Sequence, residues 1–259
     1  MTDTAFGQVV TAAQDAETAV REGEAAFAAA KAVLGLDDLR FVIVDAALGS
    51  TQWGDLSDDG APIYPWVFAS SVTDGAPRAP DYVLRHEIGH DLFVRYLAPS
   101  TQADQYGGDA PDWLDEMAAV AFEGVEQQTA RRRSVVLYQR AGRLLPLGDF
   151  LTMTHPEMTG DLPDVASGEL FQVRRSMSQD TGPFYAMARA FYDFLVARTG
   201  DSSIVAALAG AMREGEPLDR WILDRTGHGD AGSVEALNKD FLAWIDADPR
   251  YRGDRLSGS

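Results

Sequence analysis

Residues 82 to 97 read Tyr82-Val83-Leu84-Arg85-His86-Glu87-Ile88-Gly89-His90-Asp91-Leu92-Phe93-Val94-Arg95-Tyr96-Leu97. Two histidines stand four residues apart, and a glutamate directly follows the first. On a helix, positions i and i+4 lie one above the other on one face, so His86 and His90 can both reach a single ion. Glu87 is turned away by one residue, which suits contact with a water on the ion rather than with the ion itself. The flanking residues supply apolar positions at helical spacing, so the helix that this pattern requires is expected here.

Working outward, composition limits the remaining ligands. The chain has 259 residues and no cysteine, which removes disulfides, cysteine nucleophiles, iron–sulfur clusters and thiolate zinc sites. Any transition-metal site must use His, Asp or Glu. His155 precedes Pro156 in an apparent loop, and His228 lies in the glycine-flanked turn Thr226-Gly227-His228-Gly229-Asp230. Both read as ordinary surface histidines. A catalytic zinc needs a third protein ligand and an open position. The better source is a carboxylate of Pro111-Asp112-Trp113-Leu114-Asp115-Glu116-Met117-Ala118-Ala119. Asp115 and Glu116 point about 100° apart on a helix, so both cannot readily bind one ion. Glu123, two turns on, has two readings: an acceptor for the ring N–H of a ligand, or a solvated helix glutamate.

Against 40 Asp and Glu stand 22 Lys and Arg, a formal charge of −18. Phosphates would be repelled, so nucleic acid and anionic membranes are disfavoured as partners. The charge leaves only a faint preference for cationic peptides. The longest uncharged apolar stretch, Ala61 to Val72, contains two prolines and is too short to span a bilayer. The N-terminus carries Asp3, has its first basic residue at Arg21 and lacks a compact apolar core, so no secretory signal is expected. The compartment stays open: cytoplasmic by default, exported if a leader has been trimmed.

The remaining pattern runs strands first, helices after. A helix is expected from about Val9 to Leu34, stopped by Gly35, then a buried strand over Leu39 to Asp45. Gly49 to Gly60 reads as a loop. Ile63 to Val72 reads as an edge strand because of Pro65. Asp74 to Pro80 breaks the chain before the motif helix. A helix begins at Pro111, with Trp113, Leu114, Met117, Val120, Ala121 and Val125 on one stripe, and Arg131-Arg132-Arg133 close it as cations at a C-terminus. Gly142 to Gly182, with the isolated pair Arg174-Arg175, reads as a long polar connection. Helices over Phe184 to Arg198, Ser202 to Glu214 and Ser233 to Asp246 follow. The fold class is α+β.

His86-Glu87-Ile88-Gly89-His90, followed 26 residues later by Glu116 of Pro111-Asp112-Trp113-Leu114-Asp115-Glu116-Met117-Ala118-Ala119, resembles the gluzincin metallopeptidases. The likeness is to the bacterial peptidase MA-like group, in which a Pro-x-Trp-Leu-x-Glu-Gly-x-Ala segment supplies the third zinc ligand. Met117 stands where that segment has glycine. Phe184 to Leu195 looks like the group's Tyr-bearing helix, and Thr226-Gly227, Ser233 to Leu237 and Phe241 to Trp244 look like its terminal pattern. The resemblance runs from about Leu39 to Trp244, and only the zinc motifs in it are specific.

This resemblance implies a zincin-like α+β fold: an N-terminal helix and small mixed sheet with the motif helix (residues 1–98), then a mainly helical subdomain (99–259), with a cleft between them in one catalytic unit. It implies Zn2+ held by His86, His90 and Glu116, with Glu87 as general base in the hydrolysis of a peptide or protein substrate. It suggests a tyrosine or histidine as oxyanion donor. Tyr185 is the first candidate, its other reading being a half-buried helix aromatic. The edge at Ile63 to Val72 would then pair with substrate backbone. Two rival functions use the same residues: a zincin-like binding or regulatory module without catalysis, and a zinc hydrolase of a non-peptide amide or ester. Oligomeric state is not legible.

Overall fold

The computed structural model describes residues 1–48, 56, 60–72, 78–101, 108–155, 181–229 and 232–252. Most of the expected Gly49–Gly60 loop, part of the break before the motif helix, and residues 156–180 with Arg174 and Arg175 lie outside the described residues.

Within the described residues every strand precedes residue 67. Strands β1 (Thr2–Thr4), β2 (Gly7–Val10), β3 (Phe41–Asp45) and β4 (Ile63–Trp66) form one sheet in that order. The β1–β2 pair is antiparallel, whereas β2–β3 and β3–β4 are parallel, with Val9 opposite Ile43 and Ile43 opposite Tyr64. All five residues of β3 are buried: the apolar run Phe41 to Val44 as a strand covered on both faces predicts, and Asp45 with Ala47 N–H and the Ser71 hydroxyl donating to it. Helix α1 (Ala16–Leu34) is the crossover from β2 to β3.

The expected first helix is corrected here. It starts at Ala16, and Val9 and Val10 belong to β2, where β-branched side chains pack well against a partner strand. Its end is as expected: Gly35 adopts φ 67°, a left-handed conformation that costs a residue without Cβ nothing. Strand β4 also stops short. Pro65 sits in it at the sheet's edge, but the strand ends at Trp66, and Ala69–Ser71 form a single 3-10 turn.

The motif helix α2 (Val83–Tyr96) packs against α3 (Asp112–Phe122), and α1 lies across both. The crossing is close at Gly89. A Cβ there would stand 3.0 Å from Ala119 Cα and 3.1 Å from Phe122 Cγ, tighter than side chains ordinarily pack. Two polar contacts tie α2 to its neighbours. Tyr64 donates its O–H to Asp91 Oδ2 at 2.7 Å, and Arg85 meets the buried Glu22 of α1 at 2.6 Å.

A second correction concerns the helix beginning at Pro111. It ends at Phe122, because Glu123 (ψ 150°) and Gly124 (ψ 167°) are extended, and α4 (Val125–Arg140) starts anew. The arginine run therefore closes no helix; it lies in the middle of α4. Helix α5 (Leu147–Phe150) interrupts what reads as a long polar connection. Then come α6 (Gly182–Thr199), α7 (Ile204–Arg213), α8 (Leu218–Arg225), α9 (Val234–Ala247) and α10 (Pro249–Arg252). Helix α8 is not among the expected elements. It spans only eight residues and buries only Ile222 and Leu223, too short a stripe to stand out.

Helix α6 packs on α3 and α4, and one cluster of buried apolar side chains runs from Phe6 to Tyr251. The architecture is α+β, a small mixed sheet followed by helices. No described helix is long and apolar enough to cross a membrane.

Candidate metal centre

The crossing of α2 and α3 brings His86, His90 and Glu116 together, with one ligand atom of each within 4.8 Å of the others. His86 Nε2 and His90 Nε2 are 3.2 Å apart. His86 Nε2 lies 3.6 Å from Glu116 Oε1, and His90 Nε2 lies 3.7 Å from Glu116 Oε2. Ligands about 2.0–2.1 Å from a tetrahedral zinc stand roughly 3.3 Å apart, so these separations are close to what such an ion would fill.

The outer ring nitrogens face carboxylates. His90 Nδ1 lies 2.8 Å from Asp115 Oδ2, and His86 Nδ1 lies 3.2 Å from Glu123 Oε1, the latter off the line of an aligned hydrogen bond. A neutral imidazole donating from Nδ1 keeps its lone pair on Nε2. Both lone pairs then point at the same spot, where they repel unless a cation or a proton lies between them. Adjacent residues thus take different tasks: Glu116 turns to the common point, and Asp115, about 100° round the helix, reaches the far side of His90.

Glu116 is 0 % exposed, and among the described residues no aligned donor meets either of its carboxylate oxygens. A buried carboxylate in that condition is costly unless positive charge is near. Burial opposes its ionisation, but the facing His86, His155 and His90 outweigh burial and hold its pKa at about 2. Burial likewise opposes charge on His90, yet Asp115, with Glu116 and Glu87 behind it, raises that imidazole to about 10. An ionised carboxylate and two converging imidazoles, ringed by Asp115 and Glu123, are a donor set for a divalent ion. Imidazole with carboxylate suits zinc, so the residues fit the group that the motif implies.

The arginine run takes part in a way its position in the sequence conceals. Arg131 Nη2 donates to Glu123 Oε1 at 2.7 Å, and its guanidinium carbon stands 4.6 Å above the Tyr185 ring. Burial works against the Glu123 charge, but His86 and Arg131 hold that carboxyl below its usual range. The helix break at 123–124 makes this possible, since it frees the Glu123 side chain to bridge His86 and Arg131.

Glu87 is half-buried on α2 beside the pair, and Tyr185 is half-buried near the start of α6, its ring 6.1 Å from that of His86. His155 is not a surface histidine. It is 1 % exposed, and its Nε2 lies 3.5 Å from Glu116 Oε2. Its backbone N–H donates to Asp112 Oδ2 at 2.6 Å, a contact made across 43 residues and therefore invisible to local sequence reading. His228 stays in its turn, within 3.0 Å of Thr226 Oγ1, far in sequence from the centre and outside the cluster. Asp115, Arg131 and His155 are the neighbours that the sequence alone does not assign to the site. Only Asp115 had an available signal, a carboxylate one residue before a ligand and turned to its partner's outer nitrogen. Compared with protein-family models, curated proteins and solved structures, the chain gives no significant match.

Proposed function

We propose that the chain is a zinc-dependent metallopeptidase of zincin type, hydrolysing peptide bonds of a peptide or protein substrate. One observation carries the reading: two imidazole Nε2 atoms 3.2 Å apart converge on a buried, ionised Glu116 whose oxygens meet no aligned donor among the described residues, with Glu87 next to the first histidine. Zinc bound by His86, His90 and Glu116 would supply Lewis acidity toward the scissile carbonyl and acidify the attacking water.

The chain's own residues do the rest. Asp115 and Glu123 orient the two rings by taking their outer N–H groups, and Arg131 steadies Glu123. Glu87 accepts the proton of the attacking water and returns it to the leaving amine. The Tyr185 O–H donates a hydrogen bond to the carbonyl oxygen as negative charge develops there, keeping its proton throughout. Its ring is braced by Arg131, which also places positive charge beside the phenol.

The test is metal analysis with cleavage of a peptide library. Purified protein should retain about one zinc per chain, and Glu87→Gln should keep it while lowering cleavage by about 10²–10⁴-fold. Cleavage that survives both chelation and Glu87→Gln sinks the proposal. Zinc binding without cleavage of any library would instead favour the binding module, and turnover confined to non-peptide amides or esters would favour the other hydrolase.

A further inference from the structure

His155 touches the centre without belonging to its ligand set. Its ring nitrogens do not join the three ligand atoms that lie within 4.8 Å of one another, yet Nε2 stands 3.5 Å from Glu116 Oε2. That gap is a few tenths of an ångström beyond an aligned N–H···O bond, and a small rotation of either side chain closes it. At 1 % exposure the ring has no surface to offer a substrate, which separates it from Tyr185.

Three contacts fix the ring. The backbone N–H of His155 is held by Asp112 on the first turn of α3, one turn before Glu116 on the same helix. The imidazole stands edge-on to Phe184 at 5.1 Å and to Tyr185 at 5.6 Å between ring centres. Helix α3 therefore carries both the anchor and the target, and α6 supplies the wall behind the ring. Glu116 needs such support, since its side chain has three rotatable bonds and a metal ligand must be held within about half an ångström.

We infer that His155 is a positioning residue that donates its Nε2–H to Glu116 Oε2 and fixes that carboxylate for the ion. This rests on the metal-centre reading above. The experiment measures zinc dissociation constants by competition with a chromogenic chelator, alongside thermal unfolding of the zinc-free proteins. His155→Phe keeps the aromatic packing and removes the donor; it should weaken zinc binding by about 10–100-fold. His155→Gln restores an N–H donor and should recover most of that loss. Wild-type zinc affinity in His155→Phe, with only a lower Tm, would reduce His155 to packing and overturn the inference.

A second readout does not depend on zinc or on the variants of His155 folding. In long-range ¹H–¹⁵N spectra of the zinc-free protein, His155 Nε2 should carry a proton, and its resonance should move in Glu116→Gln. A bare Nε2, or a resonance indifferent to Glu116→Gln, overturns the inference. Should the wild-type protein bind no zinc, the metallopeptidase reading fails, and this spectrum alone decides the role of His155.

Discussion

Two carboxylates are buried on neighbouring helices of this molecule, and their surroundings could hardly differ more. Asp193 on α6 is 2 % exposed and fully answered: Arg132, Arg189, Arg250 and the Tyr251 hydroxyl all donate to it. Glu116 on α3 is equally buried, and among the described residues no aligned donor meets its oxygens; His155 Nε2 stands 3.5 Å away. Both are held ionised at about pKa 2 against the effect of burial. Asp193 is held so by Arg189 and Arg132, whose charge is permanent, while Glu116 is held so by imidazoles, whose charge is not. A carboxylate closed off by arginines and a tyrosine is a clip, here joining α4, α6 and α10. A carboxylate faced by imidazole nitrogens leaves room for a cation to complete it.

The largest effect should come from breaking the clip. Asp193→Ala leaves Arg189 buried without its partner and should cost about 3–5 kcal/mol in urea unfolding, while any variant that still folds keeps wild-type zinc affinity. A loss under about 1 kcal/mol would erase the contrast. Glu116→Gln should do the reverse. Zinc binding should weaken by more than the roughly 100-fold typical of outer partners, while the zinc-free protein loses less stability than in Asp193→Ala, because the imidazoles that face Glu116 can give up their protons when its charge is removed. A zinc-free Tm well below wild type would show that Glu116 is structural too.

Acid should sharpen the contrast next. Asp193 has a folded pKa of about 2 against an ordinary 3.8, so its stabilisation is full above about pH 4 and is lost as pH falls through 2. The size is about 2–3 kcal/mol. Asp193→Asn should flatten that part of the stability-versus-pH curve, and an unchanged acid slope would count against it. The smallest effect is steric. Gly89→Ala should cost about 1 kcal/mol and weaken zinc binding a few-fold, because its methyl pushes α2 from Ala119 and Phe122. Zinc affinity unaffected by this substitution would mean that the crossing tolerates more separation than its contacts suggest.

What the sequence makes legible follows from how local the cause is. The motif helix declares itself through four residues' spacing, and Gly35 stops α1 through its own backbone freedom. The buried strand at Phe41–Asp45 is visible because its first four side chains, Phe41 to Val44, are all apolar. Glu116 needed a resemblance to single it out from Asp112 and Asp115. The hidden parts depend on distant partners. Strand β1 has three residues and exists through its pairing with β2, which draws Val9 out of the helical pattern. The break at Glu123–Gly124 is fixed by partners: Glu123 turns toward His86 and Arg131. His155 looks exposed beside a proline and is buried because the chain folds back onto Asp112.

The tight crossing at Gly89 has a consequence for tracing kin of this chain. The second wildcard of the motif, Gly89, is not free: its neighbour across the crossing is Ala119, three residues after Glu116. The two positions form a lock whose halves sit 30 residues apart, and enlarging either alone jams it. Descendants of this fold would therefore be recognised by a paired signature, His-Glu-x-Gly-His with a later Asp-Glu-x-x-Ala-x-x-x-Glu. Its small residues would be as diagnostic as its ligands.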